Sequence, residues 1–204
     1  GPRAAGKIDI NAPIQENLKA VASALDRKIE DMTVVILDRE RHSKLIKDVR
    51  DAGARIKLIS DGDVSPAIDV GIEGTGVHML VGIGGAPEGV IAATALKCLG
   101  GDMQARLYPE NDEEVARAIK MGITDVNKVL TIDDLAKGDN LFFAATGITE
   151  GDLLSGVKHI GSNRAKTQSV VMRAKTGTIR FVDAIHSLDK NEILVDLMKK
   201  YNIE

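Results

Sequence analysis

The chain has no tryptophan, and its 2 Tyr and 3 Phe leave aromatic residues at 2% of 204 positions. That argues against a nucleic-acid binder that stacks bases on aromatic side chains. It also argues against an aromatic-rich sandwich, because the core must be built from Val, Ile, Leu, Met and Ala. With one cysteine, Cys98, no internal disulfide can form. Cys98 lies in an apolar run and is read as a buried thiol of a reducing cytosol, not a nucleophile. No charge of one sign dominates: 27 Lys and Arg against 30 Asp and Glu give a formal net charge of -3. No basic face suited to a phosphodiester backbone is visible, so no nucleic-acid partner is expected. No apolar run is long enough to span a bilayer and no signal peptide opens the chain. No membrane partner is therefore expected, and the expected location is cytoplasmic. The opening Gly1-Pro2-Arg3-Ala4-Ala5-Gly6 has no initiator Met and no charged lead, and reads like the middle of a longer protein.

What is present is 44% apolar residues, enough for one large core or two small ones. Asn11 can cap a helix with Pro13 in its first turn, and Ile14, Leu18, Val21 and Leu25 recur at helical spacing. Strands are expected at 33–37, 54–60, 77–83, 102–107 and 140–146, alternating with helices at 41–52, 65–71, 86–99 and 113–121. The helix at 86–99 is apolar enough to be largely buried, and Thr131-Ile132-Asp133-Asp134 is a capped helix start. After Gly147 two β runs, 166–173 and 178–185, flank Lys175-Thr176-Gly177 as an antiparallel hairpin, and 191–201 is a terminal amphipathic helix. This is an α/β pattern: a mostly parallel sheet with helices on both faces and an antiparallel C-terminal hairpin.

Ligands of open α/β sheets bind outside the carboxyl ends of the strands. Four strands run into polar or glycine-rich clusters there: Asp38-Arg39-Glu40-Arg41-His42, Asp61-Gly62-Asp63, Gly82 to Gly89, and Thr146 to Asp152. If all four strands are parallel, Arg39, Asp61, Glu88 and Thr149 share one rim. Each cluster also has a plain structural reading. The arginines can be solvated charges, the aspartates a turn and helix cap, and Glu88 a carboxylate complementing a helix end. His42 is read as a surface or supporting residue, and His78, His159 and His186 show no metal-ligand spacing. Pro87 stands where a dinucleotide fingerprint needs its third glycine. Taken together, two arginines that fork onto phosphate, paired acids for sugar hydroxyls and one hard oxygen ligand point to a phosphorylated polyol with a divalent cation.

Arg39-Glu40-Arg41-His42, Asp61-Gly62-Asp63-Val64, Gly82-Ile83-Gly84-Gly85-Ala86-Pro87-Glu88-Gly89-Val90 and Ala145-Thr146-Gly147-Ile148-Thr149-x-Gly151-Asp152-Leu153-Leu154 occur in this order. In these motifs and their spacing the chain resembles the C-terminal part of class II fructose-1,6-bisphosphatases, bacterial enzymes of the lithium-sensitive sugar-phosphatase superfamily. The resemblance implies hydrolysis of the 1-phosphate of fructose 1,6-bisphosphate in gluconeogenesis, with Mg²⁺ or Mn²⁺ and a sugar-bisphosphate partner. A homo-oligomer is expected. It further implies that Arg39, Glu40, Arg41, Asp61, Gly62, Asp63 and Gly85 contact substrate and that Glu88 binds metal. Arg39 stands where many members have Lys, and Glu40 where many have Pro. The family's Asp-Pro-x-Glu/Asp-Gly-Thr motif is absent from the chain. Residues 1–204 are thus expected to be one α/β C-terminal domain without the catalytic N-terminal region, and no catalytic residue is assigned. The alternative is a non-catalytic phosphosugar-binding or regulatory domain.

Overall fold

The β-branched run near residue 35 forms the centre of a sheet. Thr33–Leu37 (β1) pairs in parallel with Arg55–Ile59 (β2) on one edge and with Met79–Leu80 (β3) on the other. Leu37 lies opposite Ile59 and Val35 opposite Leu80, so all three strands end on the same side. Alternation sends Val34 and Ile36 to one face. There they meet Leu18 and Val21 of helix α1 (Ile14–Ala24) and Val49 of helix α2 (Ser43–Asp51) in one buried cluster. Val35 is buried on the other face, and helix α3 (Val64–Gly71) packs against β3. This computed structural model describes residues 1–190 and Lys200. Apart from Lys200, the expected helix at 191–201 lies outside the described residues.

Helix α4 (Ala86–Leu99) has the expected bounds, with Pro87 in its first turn. Its burial is divided. Ala92, Ala93, Ala95, Leu96 and Cys98 are buried, whereas Val90 and Ile91 in the first half are exposed. Packed against α3, it carries Ala95 and Cys98 into a second buried cluster with Ile68, Phe143, Val170 and Met172.

The mostly parallel pattern does not extend to two of the expected strands. The segment after α4 forms Gln104–Ala105 (β4), which pairs antiparallel with Leu130–Thr131 (β5) in a separate ribbon. Helix α5 (Asp112–Lys120), in the excursion between them, buries none of its residues, and Tyr108 there is 67% exposed. Helix α6 (Ile132–Leu135) opens with a reciprocal capping box between Thr131 and Asp134, as expected. Phe142–Thr146 (β6) is apolar as expected but runs antiparallel to Arg164–Arg173 (β8). Lys158–Ile160 (β7) pairs with the start of β8, and Thr178–Ser187 (β9) with its whole length. The antiparallel C-terminal part is thus a four-stranded sheet that contains the expected hairpin. Nor does Asn11 cap α1: Pro13 takes that position, and the Asn11 N–H donates to Asp9 Oδ1 at 2.9 Å. Among the described residues no helix is long and apolar enough to cross a membrane.

Ile36 is fully buried in the central strand, so Ile36→Ala is expected to cost about 2–5 kcal/mol of stability. The check is the urea midpoint followed by circular dichroism. A loss under about 1 kcal/mol would mean that the site closes around the smaller side chain.

Candidate functional site

β1 leads into Asp38 and Arg39 and then a single 3₁₀ turn, Glu40–His42. The turn is held by Ser43 Oγ donating to the Glu40 carbonyl at 2.7 Å, and Arg39 donates to the Asp38 carbonyl at 3.2 Å. At the end of β2, Asp61 Oδ1 accepts the Gly62 N–H at 2.8 Å. Asp63 occupies the cap position of α3 without capping it. Its Oδ2 instead fills the space that a Cβ on Gly84 would need. Beyond β3, Gly82 turns the chain at φ 146°, a conformation that side chains disfavour. Glu88, in the first turn of α4, folds its carboxylate back over Gly85 into space that a Cβ would fill. Arg39, Glu40, Arg41, Asp61, Gly62, Gly85 and Glu88 are exposed, and Asp63 is partly so.

The turns at 38–42, 60–63 and 82–88 therefore emerge from the carboxyl ends of three adjacent parallel strands. The fourth cluster does not follow a strand of this sheet as expected, because β6 belongs to the antiparallel sheet. Its loop touches the parallel sheet through an ion pair between Asp152 and Lys57, two residues before the end of β2.

His42 is not a surface residue: it is 1% exposed. Its Nδ1 lies 2.8 Å from the Leu37 carbonyl, and its Nε2 accepts the Ile83 N–H at 2.8 Å. This pattern assigns the proton to Nδ1 and a neutral ring. Arg41 Nη2 donates to the Ile83 carbonyl at 2.8 Å.

Three other groups bear on the chemistry. Asp69 on α3 is 2% exposed, and its Oδ1 is buried without a hydrogen-bond partner. Burial, then the charge of Asp152, pushes its carboxyl up to about 6, with Lys57 opposing. An acid inside the run Ala67-Ile68-Asp69-Val70 was the available signal for it. Cys98 is free and buried, and burial pushes its thiol up, away from nucleophile duty. His78 Nδ1 accepts the Thr33 N–H at 2.9 Å and supports β1; burial, then Arg27 and Arg55, pushes its pKa down.

Among the described residues no group of three or more His, Cys, Asp or Glu is arranged to enclose a metal ion. Glu88 offers one hard oxygen donor at a helix start. Among the described residues the donors could thus offer a cation single ligands, but form no closed cage.

An open parallel sheet with its polar turns gathered on the carboxyl rim belongs to the α/β class in which ligands bind at that rim. Comparison with known proteins narrows the class. Residues 1–186 match the family of bacterial fructose-1,6-bisphosphatase, glpX-encoded, and the chain belongs to that family. A protein of Synechococcus sp. (strain JA-2-3B'a(2-13)), named D-fructose 1,6-bisphosphatase class 2/sedoheptulose 1,7-bisphosphatase, is 48% identical over 200 residues. The match covers 92% of this chain and 57% of that protein. A protein of the same name from Crocosphaera subtropica (strain ATCC 51142 / BH68) is 48% identical over 197 residues, covering 91% of this chain and 57% of its own. The chain thus spans little more than half the length of these relatives.

Asp69 generates a pH prediction. Its carboxyl rises from an ordinary 3.8 to about 6 on folding, so the fold favours its protonated form. The stabilisation is complete below about pH 4, declines above it and is lost as pH rises through about 6. Asp69→Asn should therefore gain in urea midpoint over the wild type between those pH values and hold a constant advantage above them. A difference that does not change with pH would show that Asp69 titrates normally.

Proposed function

We propose that the rim holds a phosphorylated sugar, and that the complete enzyme hydrolyses the 1-phosphate of fructose 1,6-bisphosphate to fructose 6-phosphate. The observation that carries this reading is the convergence of the arginine turn, the Asp-Gly-Asp turn and the glycine-rich start of α4 on one sheet edge. Family membership and the names of the relatives support it. In this reading Arg39 and Arg41 grip a phosphate through guanidinium donors, with Glu40 between them. Asp61 and Asp63 accept hydrogen bonds from sugar hydroxyls, while Gly62 and Gly85 let the ligand approach the backbone. Glu88 supplies one carboxylate ligand for Mg²⁺ or Mn²⁺. That cation, when bound, neutralises charge on phosphoryl oxygens. The protein is then a cytoplasmic, homo-oligomeric phosphatase of gluconeogenesis, and residues 1–204 are its C-terminal, substrate-holding domain.

Glu88→Gln keeps shape and removes charge. In the complete enzyme it should lower kcat/KM at least about 100-fold, roughly 2.7 kcal/mol of barrier. Activity within about tenfold of wild type would reduce Glu88 to a carboxylate complementing the end of α4. Arg39→Ala should raise KM about tenfold with turnover nearly unchanged, because a grip on the non-reacting part acts alike in ground and transition states. A fall in turnover at constant KM would move Arg39 onto the transferring phosphoryl group.

The division between domains is tested by phosphate release with Mg²⁺ or Mn²⁺, comparing residues 1–204 with the complete enzyme. Turnover by the complete enzyme and none by 1–204 is the expected result. Comparable rates would overturn it. Sugar-phosphate binding without turnover in both would favour the regulatory reading.

A further inference from the structure

Ile83 has both of its backbone polar groups taken by the turn that follows β1. Its N–H donates to His42 Nε2 and its carbonyl accepts from Arg41 Nη2, each at 2.8 Å. Among the described residues these two bonds are the ones that anchor residues 82–84. Three of the four residues from 82 to 85 are glycines, so this segment has much backbone freedom to lose. The anchor itself has little freedom. The His42 ring is 1% exposed, its Nδ1 is bound to the Leu37 carbonyl at the end of β1, and a Cβ on Gly82 would lie 3.2 Å from its Cε1.

We infer that His42 is a positioning residue: its neutral ring clamps the glycine-rich turn to the end of β1 and so fixes the spacing between the arginine turn and Glu88. The inference rests on the reading of this rim as a sugar-phosphate site. Two effects follow from one contact. With Ile83 held by His42, its carbonyl stands where it can orient Arg41. That bond uses one of the five guanidinium N–H groups and leaves the others to fork onto a phosphate. The same clamp sets where α4 begins, and with it Gly85 and Glu88. A ring that carried a proton on Nε2 would face the Ile83 N–H donor to donor, so the clamp exists only in the Nδ1–H tautomer.

Two substitutions separate clamping from simple core filling. In His42→Gln the side-chain amide reaches the Nε2 position and can still accept the Ile83 N–H. In His42→Asn the amide reaches the Nδ1 position, keeps the bond to Leu37 and leaves Ile83 without an acceptor. In the complete enzyme His42→Asn should lose roughly 10- to 100-fold in kcat/KM, the range for a buried donor left unpaired. His42→Gln should stay within about threefold, although both variants lose the same ring packing. Equal losses in the two variants, tracking equal losses in thermal stability, would make His42 an ordinary core residue and overturn the inference. Two measurements do not depend on substrate. Imidazole ¹⁵N spectra of the wild type should show a protonated Nδ1 and an unprotonated Nε2. Exchange of the Ile83 amide should be at least about tenfold faster in His42→Asn than in wild type or His42→Gln. A protonated Nε2, or unchanged exchange, would end the clamp even if the sugar-phosphate reading stands. A slow Ile83 amide in an enzyme that ignores sugar bisphosphates would end that reading and leave the clamp.

Discussion

Everything on the candidate rim depends on β1 being paired in parallel on both of its edges. The Asp38 N–H continues the ladder to the Ile59 carbonyl at 2.8 Å, and the Val81 N–H continues it to the Val35 carbonyl at 3.2 Å. These bonds carry the pairing up to the last residues before the turns. Because side chains alternate along a strand, a slip of one residue in either pairing would exchange the faces of β2 or β3. It would also displace the Asp-Gly-Asp turn or the glycine-rich turn along the sheet by about 3.3 Å, more than a hydrogen bond tolerates. The buried faces of Val34 and Ile36 against α1 and α2 hold that register.

Above this aliphatic layer the polar groups are arranged by depth. Arg39, Asp61 and Glu88 lie exposed, while His42, between the end of β1 and the glycine-rich turn, is buried and bonded at both nitrogens. Exposed charges cost little to keep and move easily, so their placement has to come from what lies below. The surface ion pairs of α2, Lys44 with Asp48 and Lys47 with Asp51, add little to this, being pairs one helical turn apart whose lysines are exposed. Asp69 is the contrasting case: a carboxylate held inside the fold with one oxygen unpaired, and the fold is less stable when it is charged.

Much of the fold was legible because local patterns and tertiary structure agree. The β-branched run at 33–37 favours a strand, and the apolar run at 86–99, between Gly85 and Gly100, is a helix within the expected bounds. Three of the four polar clusters fall on one rim for the reason that strand-helix alternation implies. The direction of β6 was not legible. An apolar run marks a strand but not which way its neighbour runs, and here only Phe143 of the run is buried while its neighbour β8 comes well over a dozen residues later in the chain. The two-residue strands β4 and β5 are too short to show any period. Of the two readings of His42, surface or supporting, the structure has the second; its place in a run of charges gave no sign of the burial, which comes with the glycine-rich turn packed against it. Asn11 has the chemistry of a cap, but Pro13 takes the cap position two residues later.

The excursion between β4 and β5 has an optical consequence. With no tryptophan and two tyrosines, ultraviolet emission comes from Tyr108, which is 67% exposed near α5, and from Tyr201, which lies outside the described residues. No described ring able to emit strongly lies in either buried cluster. Intrinsic fluorescence of the described residues is therefore blind to their interior. A quencher or a ligand that changes the Tyr108 emission touches the outlying segment around α5, and a silent Tyr108 signal is compatible with any rearrangement of the parallel sheet.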